Sequence, residues 1–370
     1  MIIVRFTSGL GNQMYQYNLY RYLEERYEGT KVRADLTWFY ANNDHHGFEL
    51  RRIFEGVKGS QFSLKEASKS EIYSCSGQIP VFLKGPLAKS VRFLLGPVNR
   101  KLKEAGKPRK NGITLDQLER PIKFEEIDNL DTTRNYYICG FFIEEHYVKG
   151  RLDKLKKEFV FPGLCGEDEV NADDANVDAA KSDAAKSDET KVDATKSDAA
   201  KTDAEKADAA KPGIIKENTG AAKDANVRML ARIRESNSVS IHVRRGDYLS
   251  STYSSQFIAL GREYYEGAVK YIRGKITDPE FFIFSDDAQY IREAFNWLDN
   301  KEIVDINKGN DSYKDMMLMS NCKSNIIANS TFSQWAALLN DNPGRIVVYP
   351  AKYLSYEDSE VKSLKGWVRM

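Results

Sequence analysis

The apolar and polar positions fall into a short opening unit, a long stretch of unclear period, and a regular alternation in the last third. Ile2 to Phe6 reads as one buried strand. Ser8-Gly9-Leu10-Gly11-Asn12-Gln13 follows it as a loop before a helix over 13–27, where Met14, Tyr17, Leu23 and Tyr27 share a face. Residues 31–36 alternate as a second strand, 135–142 (NYYICGFF) form a third, and 144–159 read as a charged, exposed helix. After a helix at 226–235 come strand 239–243, helix 262–273, strand 280–284, helix 288–298 and strand 301–306. Helix 311–322, strand 325–328, helix 333–339 and strand 345–349 complete the series. Strand, helix, strand at that spacing predicts a parallel, doubly wound sheet. The chain therefore divides into an N-terminal α/β domain over 1–170, an insertion over 171–225 and a Rossmann-like domain over 226–370.

The insertion is a pentapeptide repeat across 178–212: DAAKS, DAAKS, DETKV, DATKS, DAAKT, DAEKA, DAAKP. Each five-residue step turns a helix through about 500°, so Asp and Lys spread around the circumference and no apolar stripe forms. A solvated helix held by Asp–Lys pairs and a disordered spacer both remain open, and neither builds a core. From Asp173 to Lys211 there are nine Asp, two Glu and seven Lys, a balance of −4, which leaves the remainder near +5 against a formal +1 for all 370 residues. That is too mild to argue for nucleic acid.

A second biased stretch, 80–110, carries nine Lys or Arg and one Glu among Val81, Phe82, Leu83, Leu87, Val91, Phe93, Leu94 and Leu95. It suits either an anionic membrane surface or a helical lobe with its apolar side turned inward. Cys75, Cys139, Cys165 and Cys322 show neither a CxxC nor a Cys/His cluster, and read as buried free thiols. The opening MIIVRF has no charged leader, and no apolar run reaches about 18 residues. The expectation is a cytoplasmic protein, with peripheral inner-membrane contact through 80–110 as its variant.

Candidate chemistry gathers where three strands of the second half end: HVRRGD with His242, Arg244, Arg245 and Asp247, then Ser285-Asp286-Asp287, then Asn329-Ser330-Thr331-Phe332-Ser333. A parallel sheet brings such ends to one edge, where α/β folds bind ligands. Guanidinium forks grip phosphate oxygens, carboxylates accept from base N–H groups, and a helix start offers free donors. Read blandly, the arginines are surface charges and Asp247 their partner. No P-loop, no GxGxxG in this half and no DxD occur. Arginine charge without metal or cofactor is thus expected to neutralise a departing diphosphate.

SGLGNQMYQYNLYRYL, IHVRRGDYL, FFIFSDD and DSYKDMMLMSNCKSNIIANSTFSQWAA, in this order, resemble the α-1,2-fucosyltransferases of glycosyltransferase family 11. The likeness covers most of the chain outside 54–130 and the repeat. It implies a GT-B-like α/β fold, two Rossmann-like domains facing across a cleft, here with the repeat inserted. It also implies metal-free, inverting transfer from GDP-β-L-fucose to the 2-hydroxyl of a terminal β-galactoside in a cell-surface glycan. Carried over, Arg244 holds the diphosphate, His242 sits beside the nucleotide, and Arg245 is either a second donor ligand or structural. Asp286 or Asp287 lies near the guanine, and Asn329, Ser330, Thr331 and Phe332 surround base and phosphates. Gly11 and Asn12 face the donor from the N-terminal half. Asp247 is an orienter of the arginines or the base for the acceptor hydroxyl.

Two departures stand out. Family members carry a Tyr/Phe-Gln-Ser-Glu-like stretch where this chain reads Phe142-Ile143-Glu144-Glu145-His146, which bears on acceptor contacts, and the repeat is foreign to the common core. His146 reads as a surface residue, and Asp35, Tyr264 and Trp335 as packing or capping groups. Another linkage, such as α-1,6, and a degenerate nucleotide-sugar-binding scaffold are the alternatives.

Overall fold

A computed structural model describes residues 1–42, 46–79, 86–104, 112–163, 219–246, 248, 258–352 and 364–370. Asp247, Cys165, the pentapeptide repeat and the two ends of the 80–110 stretch lie outside them. Two sheets organise the chain. β1 (Ile2–Arg5), β2 (Val32–Asp35), β3 (Gly112–Asp116) and β4 (Asn135–Cys139) form the first, in the order β2-β1-β4-β3. The second contains β5 (Ser238–Val243), β6 (Glu280–Ser285), β7 (Lys301–Val304), β8 (Ser324–Ile326), β9 (Val347–Tyr349) and β10 (Val368–Arg369), in the order β10-β9-β8-β5-β6-β7. Every pairing is parallel. Parallel strands are covered on both faces and so read as continuous apolar runs. Phe281, Phe282, Ile283 and Phe284 of β6 are all buried accordingly.

Helices Leu10–Arg26 and Thr331–Leu339 join the halves. The Tyr15 and Trp335 rings lie 4.9 Å apart, the Trp335 indole donates to the Gly11 carbonyl at 2.9 Å, and the Tyr15 hydroxyl to Gln334 at 3.2 Å. One apolar cluster runs through both units, from Phe6 and Tyr17 to Phe282, Met316 and Trp335. Residues past the ends of β1 and β5 line the same cleft. Two parallel-sheet halves facing across a cleft are the GT-B-like arrangement expected from the sequence.

The helix expected at 144–159 is two helices, Glu145–Lys149 and Leu152–Glu158, and it is not merely exposed. Tyr147, Val148 and Leu155 are buried, and the break at Gly150 lets the buried Arg151 pair with Glu158 and Glu25. Neither β3 nor the two-residue β10 is signalled by periodicity. His146 is a surface residue, bonded to Asp128 at 3.0 Å and stacked on Phe124. Asp35 accepts from the Tyr137 hydroxyl and the Thr37 N–H, and the Tyr264 hydroxyl donates to the Ile327 carbonyl. Both are packing and capping groups, as expected. Cys75, Cys139 and Cys322 are buried free thiols. No helix among the described residues is long and apolar enough to cross a membrane.

Candidate active site

Because β8, β5 and β6 are neighbours in one parallel sheet, the three polar loops leave from a single edge. They form one wall of a cleft of about 810 Å³ whose other wall is the loop after β1 and the start of helix Leu10–Arg26. On β5 the apolar Val239, Ile241 and Val243 face one side, and Ser240 and His242 the other. His242 is buried at the cleft, 5.7 Å ring to ring from Phe332. Burial, aided by the Arg244 charge, pushes its imidazole down to about 3. It is therefore neutral at physiological pH.

Arg244 reaches into the cleft, its Nη1 3.0 Å from Asp286 Oδ2 and its guanidinium 5.8 Å from the centre of the Tyr248 ring. The other oxygen of Asp286 accepts the Arg245 N–H at 3.0 Å. One carboxylate thus ties the β5 loop to the β6 loop. The approach is close enough that a Cβ on Gly246 would come within 3.0 Å of Asp286 Oδ2.

Arg245 turns away from the cleft. Its guanidinium lies 3.7 Å over the Tyr290 ring and 3.4 Å from Asp287, so of the two open readings the structure favours the structural one. Asp287 is not a cleft residue either: it caps helix Ala288–Ala294, accepting the Tyr290 N–H at 2.9 Å. Asn329 is fully buried behind the wall, its side chain donating to the Ile258 carbonyl and its own carbonyl accepting from Tyr248. Ser330, Thr331 and Phe332 do line the cleft, as do Gly11, Asn12 and Asp286.

Gly11 is where the two walls meet. A Cβ there would stand 2.6 Å from the Phe332 nitrogen and from Thr331 atoms, so only glycine fits. Next to it the Thr331 hydroxyl donates to Asn12 Oδ1 at 2.9 Å. Helices Leu10–Arg26 and Thr331–Leu339 both begin at the cleft, and neither N-cap residue, Gly9 or Ser330, makes a side-chain capping bond. Two positive helix ends and the Arg244 guanidinium therefore converge on one volume, which suits an anion with several oxygens.

Several cleft residues escaped the sequence reading. Glu49, buried and 3.0 Å from Arg52, has its carboxyl pushed up to about 7 by burial against the Arg52 charge. Asp315 accepts from Asn307 at 2.7 Å and is likewise raised by burial to about 7. Asn307 in turn exchanges amide hydrogen bonds with Asn226. The only signal for Asp315 in the sequence is an acid one step before the apolar run MMLM. Glu49 sits in the stretch without a period.

The chain is similar to known glycosyltransferases over part of its length. Relatives named as glycosyltransferases match a little over a third of the chain. The O-antigen biosynthesis glycosyltransferase WbnK of Escherichia coli is 37% identical over 135 residues, 36% of this chain and 45% of that protein. An α-1,2-colitosyltransferase of Escherichia coli is 37% identical over 147 residues, 37% of this chain and 49% of its own. Galactoside α-(1,2)-fucosyltransferase 2 of Bos taurus is 30% identical over 135 residues, 36% and 38% of the two chains. The matches thus span about half the length of these relatives or less. Residues 214–370 match the model of Glycosyl transferase family 11. Among solved structures, the α-1,6-fucosyltransferase NodZ soaked with GDP-fucose aligns over 91% of each chain with 13% identity and a TM-score of 0.45.

Proposed function

We propose that this chain is an inverting α-1,2-fucosyltransferase, moving L-fucose from GDP-β-L-fucose to the 2-hydroxyl of a terminal β-galactoside in a cell-surface glycan. The observation that carries the reading is the convergence of Arg244 with two helix N-termini on one cleft, one wall of which lies in the stretch that matches the family 11 model. In the reaction the bond from the fucose anomeric carbon to the β-phosphate oxygen breaks, and a bond to the acceptor oxygen forms from the opposite face. The acceptor hydroxyl proton passes to a base or to water, and GDP gains the negative charge. Arg244 and the first-turn N–H groups of helix Thr331–Leu339 are placed to take up that charge before it develops, which is where preorganised donors act most strongly. Neutral His242 supplies hydrogen bonding beside them and adds no charge. Asp315 accepts the N–H donors of the guanine, a role in which its ionised form is needed. The transfer needs no metal in this reading.

The test is turnover of GDP-fucose with lactose. Arg244→Ala is expected to lower it by about 100-fold or more, and near-normal turnover by that variant would sink the assignment. Chelation with EDTA leaves the rate unchanged. Loss on chelation, restored by a divalent ion, refutes the metal-free reading. Methylation analysis of the product should show substitution at the galactose 2-position, and a 6-linked product would move the chain to the α-1,6 alternative. A colitosyl donor is a second reading, favoured by the 37% identical α-1,2-colitosyltransferase. Competition between the two nucleotide sugars separates them.

A further inference from the structure

We infer that helix Pro86–Glu104 is a docking element for an anionic lipid bilayer, and that it holds the acceptor side of the cleft against the membrane surface. The first observation is where apolar surface is exposed. Every exposed large hydrophobic among the described residues falls between Tyr73 and Phe124. The rest of the described surface has none, and a concentration of exposed apolar residues in one part of the chain points to an interaction site. The helix carries three of the four most exposed: Phe93 at 83%, Leu94 at 70% and Leu87 at 61%. Leu87, Leu94 and Val98 are spaced by seven and four residues, so they stand on one side of the helix. Leu95, a quarter-turn round, faces the body, where it lines a small cavity with Arg5, Asp35 and Tyr137. The helix is thereby fixed to the protein along one side and presents a second apolar side outward.

The second observation is charge. Residues 80–110 hold nine Lys or Arg and one Glu, whereas the whole chain is close to neutral. A segment both rich in apolar residues and strongly basic in sequence fits the boundary between head groups and acyl chains of a membrane with acidic lipids. A second copy of this chain offers no such match, because the same basic segment would face itself.

The third is position. The helix packs on helix Trp38–Ala41, and Trp38 lines the cleft. Leu118, 70% exposed, lines it too. Docking on this face therefore sets the cleft mouth of the N-terminal half at the bilayer, opposite the nucleotide wall. That the face is the acceptor side rests on the proposed function, whereas flotation reads membrane binding alone and so fails or succeeds independently of that reading.

Flotation of the full chain with vesicles tests it. With about 30 mol % phosphatidylglycerol in phosphatidylcholine, at roughly 0.1 M salt, the protein is expected to float. On pure phosphatidylcholine it stays at the bottom. The double substitution Phe93→Ser and Leu94→Ser should cut the floated fraction by about tenfold, while circular dichroism and GDP binding remain as in the parent chain. Equal flotation of parent and variant overturns the proposal. So does failure of the parent to float, or concentration-dependent dimerisation that the same substitutions abolish without any vesicle binding.

Discussion

Burial, more than neighbouring charge, sets the protonation of the cleft. Glu49 and Asp315 are both raised to about 7 because the low-dielectric wall disfavours their ionised forms. Their unfolded counterparts titrate near 4. Between those values the folded chain holds protons that the unfolded chain has released, so these two groups stabilise most below about pH 4, and that contribution is lost as the pH rises through 7. His242 has the opposite sign. Its depressed value makes its contribution full above the ordinary histidine range, and it fades as the pH falls towards 3. The base recognition proposed for Asp315 runs against the stability trend. GDP affinity should weaken as pH drops below about 7, approaching tenfold per unit. Asp315→Asn should bind more weakly and lose that slope. Calorimetric titration from pH 8 to 6 measures both, and an unchanged slope in the variant would remove Asp315 from the base pocket.

At the level of elements, the second half was legible because parallel strands are continuous apolar runs of a length that helices rarely share. Helix Arg262–Arg273 has the bounds its periodicity predicts, and the three polar loops do meet at one edge. What the pattern could not give was the direction of side chains within a loop. Arg244 and Arg245 are adjacent in sequence, yet one enters the cleft and the other stacks on Tyr290. Asp286 and Asp287 divide in the same way, between loop tie and helix cap. Glu49 was hidden for another reason: helix Glu49–Phe54 is too short to show a period. The joint between helices Leu10–Arg26 and Thr331–Leu339 carries its own expectation. Gly11→Ala forces the Thr331–Phe332 backbone apart, at a cost on the order of 1–3 kcal/mol. Chemical denaturation should register that loss, together with weaker GDP binding, and a variant as stable as the parent would refute the tight contact.

On the scale of the whole molecule, the two sheets are separate but their core is not. Phe6 and Tyr17 from one unit share a cluster with Phe282, Met316 and Trp335 from the other. Thermal or chemical unfolding is therefore expected as one transition, with tryptophan fluorescence and far-ultraviolet dichroism coincident. Two resolved steps would show that the shared cluster contributes little. The contact of Gly11 with Thr331 and Phe332 gives this union a further meaning. In the proposed transferase, phosphate held at that turn would press on a backbone already touching its opposite number, and donor occupancy would pass to the acceptor wall. Compulsory order in substrate addition, nucleotide sugar before galactoside, would be the kinetic imprint of that single point of touch.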